Sequence, residues 1–336
     1  MRVGRALFAV SGFGASGPGR RRPWDVASWL LVAGGLLVWW LCARFPAELP
    51  PFAPWEFSLV EFLGTLLPAL WYVRGLLRAP AAERPGRARQ VAFLGGVGII
   101  YAVLQTHFVY LAQHMFFLNR LQHLAMHHLG PFLVALSWPA ETMLLGMPGG
   151  LRRHLEAAPV RIFLRVVQTP LVGGVLFVGL IALWLQPTIH FHAMISPLLY
   201  DVMNWSMVLD GLLFWFFALD PRPSLPAPSS FVARLATVLL VMFPQILMGA
   251  RITFGTHPLY SYYDLCGRLF PQISALHDQH LGGLIVWIPS SMMSSVALML
   301  IMNNIRLHED RSGGGGQRDI LAPGGTVISS SSWTGR

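Results

Sequence analysis

Apolar residues along this chain gather in long runs instead of alternating with polar ones at a surface-helix or strand period. The runs cover 25–43, 57–77, 90–111, 117–138, 162–185, 198–219, 231–251 and 280–303. A helix needs ~20 apolar residues to cross ~30 Å of hydrocarbon, so each run predicts one membrane span. The separators are turn-rich or charged: Pro46 to Pro54, Arg84-Pro-Gly-Arg87, Arg152-Arg153 and Asp220-Pro-Arg-Pro223. No internal repeat is visible. The pattern predicts an all-α fold, a polytopic transmembrane helix bundle of about eight spans over residues 25–303. Residues 1–24 form an N-terminal extension, because the apolar stretch Ala6 to Val10 is shorter than the ~7–15 residues of a signal core. Residues 304–336 form a tail whose Gly and Ser content, from Ser312 on, predicts disorder. Pro68, Pro131, Pro170, Pro244 and Pro289 fall well inside the runs. Each removes a backbone donor and frees the carbonyl four residues earlier, which in lipid needs a protein or water partner.

Composition sharpens this reading. Hydrophobic residues make up 54% and charged residues 12%; soluble domains carry roughly 25% charged residues. Mean hydropathy is +0.55. The net charge of +9 comes from 24 basic residues, all of them Arg. With the N-terminus inside, twenty of them fall in the cytoplasm. Only Arg44, Arg120, Arg251 and Arg268 lie outside or near the outer edge, with Arg120 and Arg251 expected to snorkel. Both termini are then cytoplasmic, and the basic balance reports topology, with no nucleic-acid partner implied. Cys42 and Cys266 are too few for a disulfide scaffold. Both fall near the outer face, where a bridge between them is geometrically open.

The histidines supply the candidate chemistry. Of 12, only His154 and His308 are cytoplasmic in this topology. His107, His114, His190, His192, His257, His277 and His280 lie in outer loops or at outer helix ends, and His123, His127 and His128 sit inside the fourth span. That asymmetry did not enter the choice of topology, and a metal-handling protein needs it. His123 and His127 are four apart, with Cβ atoms ~6 Å apart on a regular helix, and two imidazoles at that spacing can hold one metal ion. Pro131 frees the carbonyl of His127. The loop before the sixth span reads His190-Phe-His192-Ala-Met194, a set that suits Cu(I). Within the sixth span Met203, Met207 and Asp210 lie close to one face. Asp210 near the bilayer centre costs about 2.5–3.5 kcal/mol in insertion terms, so an intramembrane His is its expected partner. Asp201 sits nearer the outer surface. Asp278 or a neighbour caps the last span, and Gly282-Gly283 lets another helix come close. Gly-rich phosphate loops, Gly-x-Ser-x-Gly, Cys-x-x-Cys and His-Glu-x-x-His are all missing, so no conventional enzyme is expected.

Three motifs resemble those of the CtaG-type (caa3-type) multi-pass proteins associated with cytochrome c oxidase assembly. They are Arg120-Leu-Gln-His123-Leu through Pro131-Phe-Leu; Leu199-Tyr200-Asp201 through Gly211-Leu-Leu-Phe-Trp215 with Asp220-Pro-Arg-Pro; and Asp278-Gln279 through Gly282-Gly283-Leu-Ile-Val-Trp287-Ile-Pro289. The similarity spans roughly 57–303. Many relatives carry a His where Asn119 stands and another where Met203-Asn204 stands, so the role of the first passes here to His127 or His114. The resemblance implies help in maturing a haem–copper oxidase in the bacterial cytoplasmic membrane, through copper delivery to its catalytic subunits, with periplasmic copper chaperones as further partners. Copper would be taken by His107, His114, His190, His192 and Met194 and passed to His123 and His127. Two other readings stay open: a b-type haem protein, which needs histidines facing each other from two helices, and a copper or small-molecule permease, which suits Pro-bent helices and Asp210 but lacks evident repeat halves.

Overall fold

The computed structural model describes residues 26–45, 48, 57–224, 227–313, 320–321 and 327–328. The extension expected at 1–24 lies outside them. The described chain is helical: α1 (Val26–Arg44), α2 (Leu59–Arg78), α3 (Arg87–Gln105), α4 (Phe108–His114), α5 (Phe116–His123), a π-helical turn (Leu124–Leu129), α6 (Gly130–Ser137), α7 (Ala140–Gly146), α8 (Gly149–Leu155), α9 (Ala158–Val167), α10 (Pro170–Leu185), α11 (Pro187–Ile195), α12 (Pro197–Ala218), α13 (Phe231–Thr253), α14 (Tyr262–Leu265) and α15 (Ala275–Gly313). A two-residue antiparallel pairing joins 320–321 to 327–328.

Among the described residues five helices are long and apolar enough to cross a membrane, or up to seven if each of two bent pairs counts as one span. The pairs are Phe116–Ser137 with Ala140–Gly146, bent by 80°, and Ala158–Val167 with Pro170–Leu185, bent by 73°. Helix α12, 22 residues long, is outside that set because Asp201, Asn204, Ser206 and Asp210 dilute its apolar content. Large apolar side chains such as Leu171, Val175, Leu240 and Leu247 stand exposed on the outer faces of their helices. A water-facing surface would not carry so many; this is a multi-pass membrane protein.

Several predicted boundaries move, each for a local reason. The third run breaks at Thr106, whose backbone is extended and whose hydroxyl accepts from Phe108 N–H at 3.3 Å, so α4 starts afresh. The fifth run bends by 73° at the break before Pro170, which opens α10 at its first turn, where its missing N–H is not needed. The segment expected as a loop around His190 is instead helix α11, whose start is capped by the Gln186 side chain accepting from Thr188 and Ile189 N–H at 2.7 and 3.1 Å. Helix α15 runs ten residues beyond the predicted end at 303. Helix α6 ends on Trp138, held in the left-handed region at φ 50° with the Arg222 guanidinium over its ring. Cys42 and Cys266 are both free thiols.

The bundle is closed by helix pairs. Helices α13 and α15 lie along each other, α3 packs on α6, α2 on α7, and α12 on α6 and α10. A Cβ on Gly282 would lie 2.3 Å from the Phe116 ring, and one on Gly283 would lie 2.6 Å from Thr253 N, so this pair is what admits α5 and α13 against α15. Two of the buried clusters among the described residues are large. One holds Phe132, Phe177, Phe214, Trp215, Val238, Ala297 and Ile301. The other gathers Met126, Met194, Met203 and Met207 with Trp184, Tyr200, Tyr260 and Tyr263. Between α12 and α13, Arg222 makes a two-pronged pair with Asp220, and buried Arg234 donates to the carbonyls of Asp220 and Ser229, fixing that loop.

Candidate functional site

The site is organised by one irregularity. Across Leu124–Leu129 the helix widens to a π turn, in which Gly130 N–H donates to Ala125 O. Such bulges insert one residue and recur at functional sites. Pro131 has no N–H to offer the carbonyl of His127, and that carbonyl is taken by Trp215 Nε1–H from α12 at 3.2 Å. Helix α12 reaches it because residue 211 is Gly: a Cβ there would sit 2.3 Å from His127 O.

The bulge turns His127 and His128 into a buried polar chain. Asp210 Oδ2 lies 3.0 Å from His127 Nε2, His127 Nδ1 lies 3.2 Å from His128 Nδ1, and His128 Nε2 lies 3.1 Å from Gln245 Oε1. The Gln245 amide N–H donates to Val241 O at 3.2 Å. That last bond sets the polarity of the rest. Gln245 Oε1 accepts from His128 Nε2–H, His128 Nδ1 accepts from His127 Nδ1–H, and a neutral His127 in turn accepts at Nε2 from a carboxyl O–H on Asp210. Every member is then satisfied while uncharged, which is the cheap way to keep them in a bilayer. Phe177 stacks on the His127 ring at 4.3 Å.

His123, one turn earlier, does not join this chain. Its Nε2 is buried without a partner. It faces a cavity of about 30 Å³ that Arg120, His128, Met207 and Ser290 also line. That volume holds an ion or about two waters, not a porphyrin. Arg120, expected to snorkel, is only 3% exposed. Its side chain turns inward, one Nη donating to Asn119 Oδ1 and the guanidinium lying over Phe116 at 5.0 Å, because Gly282 leaves room beside its Cγ. Arg251 is exposed, as expected.

Around this pocket lies the end of the bundle where most histidines collect. Helix α11 turns His190 and Met194, four apart, inward and leaves His192 exposed. His190 Nε2 meets Tyr263 OH at 3.0 Å, and the ring also meets the Trp184 backbone. Burial, reinforced by the charge of Arg120, holds the His190 pKa well below the usual imidazole range. Burial likewise pushes Tyr263 well above the usual phenol value and Tyr260 up to about 12. Met194 Sδ receives the Asn119 amide at 3.7 Å. Tyr200 OH donates to Gln122 Oε1 at 2.9 Å, and Gln122 in turn donates to Val103 O. Asp278 does not cap its own helix, whose start is held by Ser274 Oγ accepting from His277 N–H. Its carboxylate caps α5 instead, accepting from Phe116 and Phe117 N–H at 3.0 and 2.8 Å and from Arg268 at 2.7 Å.

The remaining expected residues stay apart from this cluster's centre. His107 and His114 flank the Tyr110 ring, and Asp201 is exposed. Among the described residues no three His, Cys, Asp or Glu side chains converge on one point. Residue types alone did not single out Arg120, Gln245 or Tyr263; buried polar residues in otherwise apolar runs were the available signal.

A family model described as cytochrome c oxidase caa3 assembly factor matches residues 70–306 of this chain. No curated protein and no solved structure matches it.

Proposed function

The chain belongs to the cytochrome c oxidase caa3 assembly factor family, and from that premise we propose that it carries Cu(I) as cargo during oxidase maturation. In this reading it crosses the bacterial cytoplasmic membrane about eight times with both termini in the cytoplasm. Copper enters at the outer face, supplied by periplasmic copper chaperones, and passes to the catalytic subunits of the oxidase. The protein itself catalyses no bond-making step.

One observation carries the reading. His123 Nε2 is a buried imidazole nitrogen without a partner, His190 is fully buried as well, and the thioethers of Met126, Met194, Met203 and Met207 belong to the buried cluster at the same end of the bundle. Neutral nitrogen and soft sulfur are the donors that hold Cu(I) without burying a carboxylate. His107, His114 and His192, nearer the surface, serve as points of entry. His127 keeps both nitrogens in its hydrogen-bonded chain and orients the bulge that presents His123. The Met203-Asn204 pair, which stands where many relatives carry His, supplies sulfur in place of nitrogen.

Deleting the gene and recording oxidase spectra and activity at limiting copper tests this. Low oxidase, restored by excess copper or by the wild-type gene but not by His123→Ala or Met203→Leu, supports it. Normal oxidase at limiting copper refutes it, as does purified protein that takes up no Cu(I).

A further inference from the structure

The Arg120 guanidinium raises a question that copper does not answer. It is buried beside His123, its Nε has no acceptor, and its one Nη contact is to a neutral amide. Among the described residues no carboxylate lies within ion-pair reach of it. The two buried acids nearest in the fold are committed: Asp278 to Phe116 N–H, Phe117 N–H and Arg268, and Asp210 to His127. A buried, unpaired charge is among the least tolerable features a protein interior can hold.

Two unpartnered nitrogens, Arg120 Nε and His123 Nε2, belong to side chains that line the same cavity of about 30 Å³. The Ser290 hydroxyl lines it as well, and the rest of the wall is apolar apart from His128, whose nitrogens are both engaged. A cation, two N–H donors and a hydroxyl around a space for about two waters suit a small, desolvated anion. The narrow, largely apolar wall favours a monatomic anion over phosphate, sulfate or a lipid headgroup.

We propose that this cavity is a binding site for a monatomic anion, chloride under physiological conditions, with Arg120 as counter-ion and His123 Nε2–H as second donor. The site does not depend on copper. Where both are handled, His123 Nε2 serves one at a time, as a proton donor to chloride or as a lone pair to the metal.

The test uses the full-length protein in detergent, free of metal, with chloride replacing gluconate at constant ionic strength. A saturable rise in unfolding temperature, matched by saturable broadening of the chloride NMR line, is the expected result. Bromide should act like chloride, and sulfate should not act. Arg120→Gln should abolish the response, and His123→Leu and Ser290→Ala should each weaken chloride binding about tenfold. No response in the wild-type protein, an equal response to sulfate, or undiminished chloride binding in Arg120→Gln overturns the proposal. If Arg120→Gln does not fold, unaltered affinity in both His123→Leu and Ser290→Ala overturns it. Because copper is left out, failure here leaves the cargo reading standing, and failure of copper uptake leaves this site standing.

Discussion

The contact between α12 and the bulge can be broken by one methyl group. In Gly211→Ala the new Cβ would lie 2.3 Å from His127 O, 3.0 Å from its carbonyl carbon and 3.1 Å from its Cα. All three are backbone atoms, so no rotamer change relieves the clash; α12 must retreat by about 1 Å to regain ordinary contact. The same carbonyl accepts from Trp215 Nε1–H at 3.2 Å, and Asp210 meets His127 Nε2 at 3.0 Å. A retreat of that size takes both bonds past useful length. Overpacking costs about 1–3 kcal/mol, and an unpaired buried carbonyl about 1–3 kcal/mol more. The helix preference of Ala over Gly returns at most about 1 kcal/mol. The net expectation is a loss of about 2–4 kcal/mol. Gly179→Ala in α10 is the control: nothing lies within 4 Å of its Cβ, so stability should hold or rise slightly. Unfolding of the purified protein in mixed detergent, followed by tryptophan fluorescence, measures both. Should Gly211→Ala unfold within about 0.5 kcal/mol of wild type while Gly179→Ala behaves as expected, the packing argument is wrong.

Other perturbations test the hydrogen-bonded elements. Because the polarity of the buried chain makes Asp210 a donor to His127, Asp210→Asn should cost less than about 1 kcal/mol, whereas Asp210→Leu, which strands His127 Nε2, should cost about 1–3; equal large losses in the same unfolding assay would show that Asp210 acts as an anion. Asp278→Ala should lose about 2–4 kcal/mol by leaving two N–H groups unpaired and Arg268 with Asp264 alone, with Asp278→Asn losing clearly less; near-neutral behaviour of both would dissolve the capping role. Tyr260, pushed up to about 12 in the folded protein, stays protonated longer than in the unfolded chain. Its contribution is therefore complete below pH ~10 and is lost as pH rises through about 12, up to about 3 kcal/mol. No lysine titrates in that window, so phenolate absorbance tracked alongside unfolding should show the loss, and Tyr260→Phe should flatten it.

Most helices were legible before any fold was known, because a membrane span is written locally. Some twenty apolar residues must satisfy their own backbone, whatever they pack against. The same reasoning reached Asp210's need for an imidazole, since a carboxyl in hydrocarbon has few candidates. It failed where a neighbour's approach decides the outcome. His123 and His127 are four apart, yet it is His127 that hydrogen-bonds to Asp210 and His128 while His123 Nε2 is left without a partner. The π turn is settled by Trp215 and Gly211 coming from another helix to meet the carbonyl that Pro131 releases. Arg120 looked like a snorkelling residue and became a buried cation because Gly282 leaves it space and Phe116 lies beneath it. The chain alone marked the long apolar segments and the side chains that carry donor chemistry. Tertiary contact chose among those donors, for whether a nitrogen is free or spent depends on atoms from helices tens of residues away.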